Sequence, residues 1–260
     1  MMTAVSGCGA CAEGNTLDFA FTMAFQPIVD LQAGRIYSHE ALVRGTDGAG
    51  AASILSRVNE DNRYAFDQAC RVRAIEWAAK LGITERVNIN FMPNAVYEAE
   101  NCIRKTLSTA KRCNFPIDRL VFEVTEGEEV TDKLHLATIL AEYRRQGFKT
   151  AIDDFGAGYA GLNLLAEFQP DIIKLDMELT RKINADRVRR SIVRGIMVVC
   201  EELDLDVIAE GIETLDEMQA LADLGITKFQ GYFFAKPVFE GLASVPFLSS
   251  FSRRGAVRAV

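Results

Sequence analysis

The sequence predicts an α/β fold, a (β/α)8 TIM-like barrel in which one strand runs antiparallel to the others. Three observations carry this reading. Eight apolar, strand-like runs recur along the 260 residues. Helical patterns fall between most of them, the alternation expected of a parallel barrel. Only DLQAG separates the first two runs. That is too short for a crossover helix, so those two strands must pair antiparallel.

In order, the runs are Phe21–Val29, Arg35–Val43, Val87–Phe91, Leu120–Val124, Lys149–Asp153, Asp171–Leu175, Asp206–Ala209 and Lys228–Tyr232. FDQACRVRAIEWAAKLG, TDKLHLATILAEYRRQG and DRVRRSIVRGIMVVCEELD read as helices between them, and the first two end at a glycine, the usual helix stop. No proline-rich linker or internal repeat divides the chain. One domain is expected over 19–247, with tails at 1–18 and 248–260.

Composition narrows the function. The chain is 49% hydrophobic, enough for a core without disulfides. No run of apolar residues is long enough to span a membrane. The opening MMTAVSGCGACAEG lacks the features of a signal peptide, so a cytoplasmic protein is expected. A net charge of −7 argues against a nucleic-acid partner, and the basic stretch DRVRRSIVRG reads as a solvated helix face. Cys8 and Cys11 form a lone C-x-x-C, short of the four ligands of a structural zinc, and read as tail thiols.

Barrel enzymes place their chemistry at the C-terminal ends of the strands. The polar residues there are Glu40, Asn88, Asn90, Glu123, Asp153, Asp154, Lys174, Asp176, Glu210, Glu213 and Gln230. One acid at a strand end reads as a cap or a surface charge. Acids on most strands of one rim do not, because carboxylates crowded in one mouth repel without cations. Successive strand residues face opposite ways, so Asp153 and Asp154 converge only where the strand breaks, and Gly156 and Gly158 are expected to allow the break. The donors are hard oxygens, which favour Mg2+ or Mn2+ over zinc. His39 and His135 are expected to be structural or exposed. Two hard cations side by side suit in-line displacement at phosphorus. Lys174 could hold the nucleophile or the phosphate in line.

EALVR, VNIN, FEVTE, IDDFGAGYAGL, DIIKLD, VIAEGIET and FQGYFFAKP, in this order, resemble the motif series of EAL-domain cyclic-di-GMP phosphodiesterases. The resemblance implies hydrolysis of cyclic di-GMP to linear pGpG with Mg2+ or Mn2+. It implies Glu40, Asn88, Glu123 and Asp153 on one metal, and Asp153, Asp154 and Glu210 on the second. Lys174 would position the attacking water, Glu213 would hold the lysine, and Gln230 would join the water network. Gln26, Arg44 and Asp176 would face the substrate. A homodimer near the loop after Asp154 and a signalling partner protein are further implications.

Every motif ligand is retained, which favours an active enzyme. Besides the Cys8–Cys11 tail, which is not part of the domain, two features depart from the family. The segment GTDGAGAASILSRVNEDNRY after Arg44 is short and Gly/Ala-rich where the family carries a longer, proline-containing segment that contacts a guanine. Ala160 and Gly161 stand where two serines are common. The alternative reading is a non-catalytic cyclic-di-GMP receptor that regulates a partner. An enolase-type barrel is disfavoured, because it would need a large N-terminal capping domain.

Overall fold

The computed structural model describes residues 17–96, 99–125, 133–158, 161–246 and 248. Cys8, Cys11, most of both expected tails, Tyr159 and Ala160 lie outside the described residues.

The strands are β1 (Phe21–Asp30), β2 (Arg35–Gly45), β3 (Arg86–Asn90), β4 (Leu120–Thr125), β5 (Lys149–Phe155), β6 (Ile172–Leu175), β7 (Asp206–Ala209), β8 (Lys228–Phe229) and β9 (Val238–Phe239). From β2 to β8 each strand pairs in parallel with the next. β1 pairs antiparallel with both β2 and β8, and so closes an eight-stranded barrel. The turn at 31–34 makes this possible, since the Asp30 carboxylate accepts from the Ala33 amide at 2.9 Å. The helices are α1 (Ala51–Leu55), α2 (Arg63–Lys80), α3 (Ala99–Cys102), α4 (Arg104–Arg112), α5 (Lys133–Arg145), α6 (Gly161–Glu167), α7 (Met177–Thr180), α8 (Arg187–Glu202) and α9 (Leu215–Ala222).

Two elements differ from the sequence reading. The last barrel strand is two residues long rather than five. Gly231 leaves the ladder to press against Ile212, where a Cβ would lie 2.1 Å from the Ile212 carbonyl oxygen. The ninth strand, paired antiparallel with β1 through Ala24 and Phe25, is too short to produce a period-2 signal.

The interior is layered, because side chains two apart on a strand share a face. Val121 of β4, Ala151 of β5, Ile172 of β6 and Ile208 of β7 form an apolar layer with Ile28. Two residues further on in the same strands come Glu123, Asp153, Lys174 and, just past β7, Glu210. The larger apolar cluster lies between strands and helices. Within it, the fully buried Arg71 of α2 reaches Asp67 at 2.6 Å and the Tyr143 hydroxyl of α5 at 2.6 Å. Asp67 also accepts from the Met92 amide at 2.9 Å, which ties α2 to the chain just beyond β3.

Candidate metal centre

Lys174 organises the barrel mouth. Its side chain is fully buried, and an ammonium there needs partners. Nζ lies 2.8 Å from Glu210 Oε1, 2.9 Å from Asp153 Oδ1, 3.2 Å from Glu123 Oε2 and 3.4 Å from Glu40 Oε2. Burial by itself would lower the lysine pKa, but these carboxylates hold it well above the ordinary value. Asn88 donates to Glu123 Oε1 at 2.7 Å. Gln230 donates to Glu40 Oε2 at 2.7 Å and to Gln26 Oε1 at 3.2 Å, and Gln26 donates to the Ala235 carbonyl at 3.1 Å.

Three of the carboxyls, Glu123, Asp154 and Glu210, resist ionisation. Burial, then repulsion from Glu40 and Asp153 against the pull of Lys174, pushes Glu123 up to about 8. Burial and the neighbouring Asp153 raise Asp154 to about 6. Glu210 is raised well above its usual range, first by burial and then by Asp153 and Glu40. One ammonium does not balance this site. Five carboxylates against one lysine leave −4 when all are ionised, the charge that two divalent cations would cancel.

The donor geometry fits that pair. One group is Glu40, Glu123 and Asp153, and a second is Asp153, Asp154 and Glu210, with ligand atoms within 4.8 Å of one another in each. Asp153 belongs to both. Asn88 Oδ1 is buried beside the first group without a hydrogen-bond partner among the described residues. All these donors are oxygens, the set hard cations prefer.

Asp153 and Asp154 converge by a bulge within β5, and not beyond it as the sequence suggested. Asp154 adopts a left-handed φ of 53°, and the pairing with β6 slips between Ile152 and Phe155. The strand then resumes at Phe155. Asp tolerates this conformation better than most residues. His39 faces away from the mouth, 4.0 Å from Glu85.

Other expected residues stand apart from the lysine. The Glu213 carboxylate takes a bidentate contact from Arg181 at 2.7 and 2.9 Å and makes no described ion pair with Lys174. The reason is its place in the partly exposed loop after β7, where an arginine competes for it. Asp176 caps α7 by accepting from the Glu178 amide at 2.8 Å. The Arg44 guanidinium donates to the Val43 carbonyl at 2.7 Å.

Three contributors were not assigned roles from the sequence. Asn90 donates to Glu40 Oε1 at 3.0 Å, and its placement two residues after Asn88 on the same strand was the available signal. Arg181 holds Glu213. Glu217 accepts from the amides of Lys182, Glu213 and Thr214, and so joins the loop after β6 to the loop after β7. The T-x-x-E spacing of its capping box was legible, but its reach to Lys182 was not.

The EAL domain family model matches residues 17–237. The blue light- and temperature-regulated antirepressor BluF of Escherichia coli is 31% identical over 91% of this chain and 58% of its own length. The cyclic di-GMP phosphodiesterase PdeR of the same organism is 34% identical over 63% of this chain and 24% of its own length. This chain thus spans roughly half or less of those relatives. Among solved structures, a standalone versatile EAL protein from Vibrio cholerae in its c-di-GMP-bound form is 54% identical, with a TM-score of 0.87 over 90% of this chain and 99% of that one. Klebsiella pneumoniae BlrP1, in a manganese and c-di-GMP complex, is 34% identical with a TM-score of 0.82 over 88% of this chain and 58% of that one. By the match across its barrel, the chain belongs to the EAL-domain family.

Proposed function

We propose that the chain is a metal-dependent phosphodiesterase that hydrolyses cyclic di-GMP to linear pGpG. The observation that carries the reading is two carboxylate groups that share Asp153 around the buried Lys174. Relatives named for cyclic di-GMP hydrolysis and for manganese and c-di-GMP complexes support the substrate class and the use of a divalent cation.

Glu40, Asn88, Glu123 and Asp153 would hold one cation, and Asp153, Asp154 and Glu210 the other, as Mg2+ or Mn2+. When bound, such a pair supplies Lewis-acid activation of water and stabilises charge on the phosphoryl group. The protein's own groups do the positioning. Lys174 stays protonated among its carboxylates and offers Nζ–H donors to the attacking water or a phosphate oxygen. Gln230 fixes Glu40 by donating to Oε2, and Asn90 fixes its other oxygen. Gln26, held by Gln230 and Ala235, lies beside this network, while Arg44 and Asp176 would complete the substrate side. Glu213 acts through its pair with Arg181, on the loop rather than on the lysine.

The test is incubation of the protein with cyclic di-GMP and Mn2+, with pGpG followed by chromatography. Wild type should form product, and Glu40→Ala should lose about 100-fold or more of the rate while keeping its fold. Undiminished turnover in a chelator overturns the mechanism. Binding without turnover favours the second reading, a receptor that regulates a partner protein, which the antirepressor relative and the short segment after Arg44 support. We further infer a homodimer formed near the loop after Asp154 and the helices that follow, where α8 exposes Val188, Ile192 and Val198. Monomers with full metal-dependent activity would count against it.

A further inference from the structure

The opposite end of the barrel carries a second set of charged groups. Two residues before the apolar layer, the strands present Lys149 below Ala151 and Asp206 below Ile208, with Arg86 at the start of β3. A cavity of about 300 Å3 opens there, lined by Tyr37, Arg86, Arg144, Lys149, Asp171 and Asp206 among others. The layer of Ile28, Val121, Ala151, Ile172 and Ile208 lies between this foot and the mouth, so the two ends are chemically separate.

Three cations, Arg86, Arg144 and Lys149, and three carboxylates, Asp171, Asp204 and Asp206, line the foot, but their contacts are unevenly distributed. Lys149 pairs with Asp171 at 2.6 Å, and Lys228 pairs with Asp206 at 2.8 Å. The Tyr37 hydroxyl donates to the other Asp206 oxygen at 2.8 Å. These contacts occupy the Asp171 and Asp206 carboxylates. Arg86 lies over the Tyr37 ring at 4.9 Å, and Arg144 donates to the Gln169 carbonyl at 2.6 Å. Neither guanidinium has a carboxylate within ion-pair distance among the described residues. Two planar cations thus face one polar cavity with donors to spare, in a chain whose net charge is −7.

We propose that this foot is a second ligand site, which takes the phosphate group of a small phosphomonoester or of inorganic phosphate. A guanidinium presents parallel N–H donors that match phosphate oxygens, and two of them hold one phosphate better than lysines could. The stacked Tyr37 ring holds Arg86 in place, with the hydroxyl turned away to Asp206. The cavity exceeds the size of a bare phosphate, which leaves room for a short organic portion.

The test is isothermal titration of the full chain with inorganic phosphate and, separately, ribose 5-phosphate, both in a chelator. Without metal the mouth is acidic and repels anions, so the titration reports the foot. The expected result is saturable binding, weakened roughly tenfold for each guanidinium lost in Arg86→Gln and Arg144→Gln. Both variants should keep the wild-type circular dichroism and the metal-dependent stability gain, since neither touches the mouth. Tighter binding of ribose 5-phosphate assigns the cavity to an organic phosphomonoester, and equal binding assigns it to phosphate alone. No saturable binding at millimolar ligand, or equal binding by wild type and a folded double variant, overturns the proposal.

Discussion

Lys174 concentrates the electrostatics of the mouth in one atom. Its ammonium lies between 2.8 and 3.4 Å from four carboxylates. Removing one member of a buried ionic cluster leaves the rest uncompensated, at a cost of about 3–5 kcal/mol. Lys174→Met should therefore lower metal-free stability by about that amount in urea denaturation. Mn2+ should narrow the gap, because divalent charge replaces part of what the lysine supplied. An equal gap with and without metal would show that the carboxylates do not take up the ion.

At the scale of elements, β5 and the loops after β6 and β7 shape the site. The left-handed Asp154 turns a second carboxylate to the same side as Asp153, at a backbone cost of about 1–2 kcal/mol. Asp154→Gly relieves that cost and removes a carboxyl that burial holds near 6. The variant should be more stable than wild type in a chelator and should gain less stability from Mn2+. A variant less stable in chelator would show that Asp154 is not strained. Glu217 joins the two loops. Burial would raise its pKa, but the amides of Lys182, Glu213 and Thr214 outweigh burial and hold it below the usual value. A depressed carboxyl stabilises the fold above its unfolded pKa of about 4.3, and that stability is lost as pH falls through the folded value. Glu217→Gln should cost about 1–3 kcal/mol at pH 7 and progressively less toward pH 3, measured by denaturation at each pH.

For the whole molecule, the unmatched carboxylates couple stability to metal. The metal-free barrel confines like charges in a mouth where Glu123 and Glu210 hold raised pKa values. A cation that binds only the folded chain at 100 times its dissociation constant adds about 2.7 kcal/mol. For a chain of this size that is a rise of roughly 5–10 °C in Tm. Calorimetry with and without Mn2+ checks this, and an unchanged Tm would remove the metal centre from the account. No described helix is long and apolar enough to cross a membrane.

The sequence by itself determined the strand alternation, the antiparallel start and the acidic rim. These are local properties: apolar runs, the brevity of DLQAG, and polar residues where strands end. Glu40, Asn88, Glu123, Asp153 and Gln230 were legible because a barrel turns strand ends toward one axis. Tertiary structure alone decided where β5 bulges, because Asp, like Gly, can adopt a positive φ and only pairing with β6 locates the slip. It decided that Glu213 meets Arg181, 32 residues away in sequence, rather than Lys174. It also decided which cations at the foot pair with carboxylates among the described residues. Such pairings depend on distances between segments far apart in the chain, and no local pattern of residues encodes them.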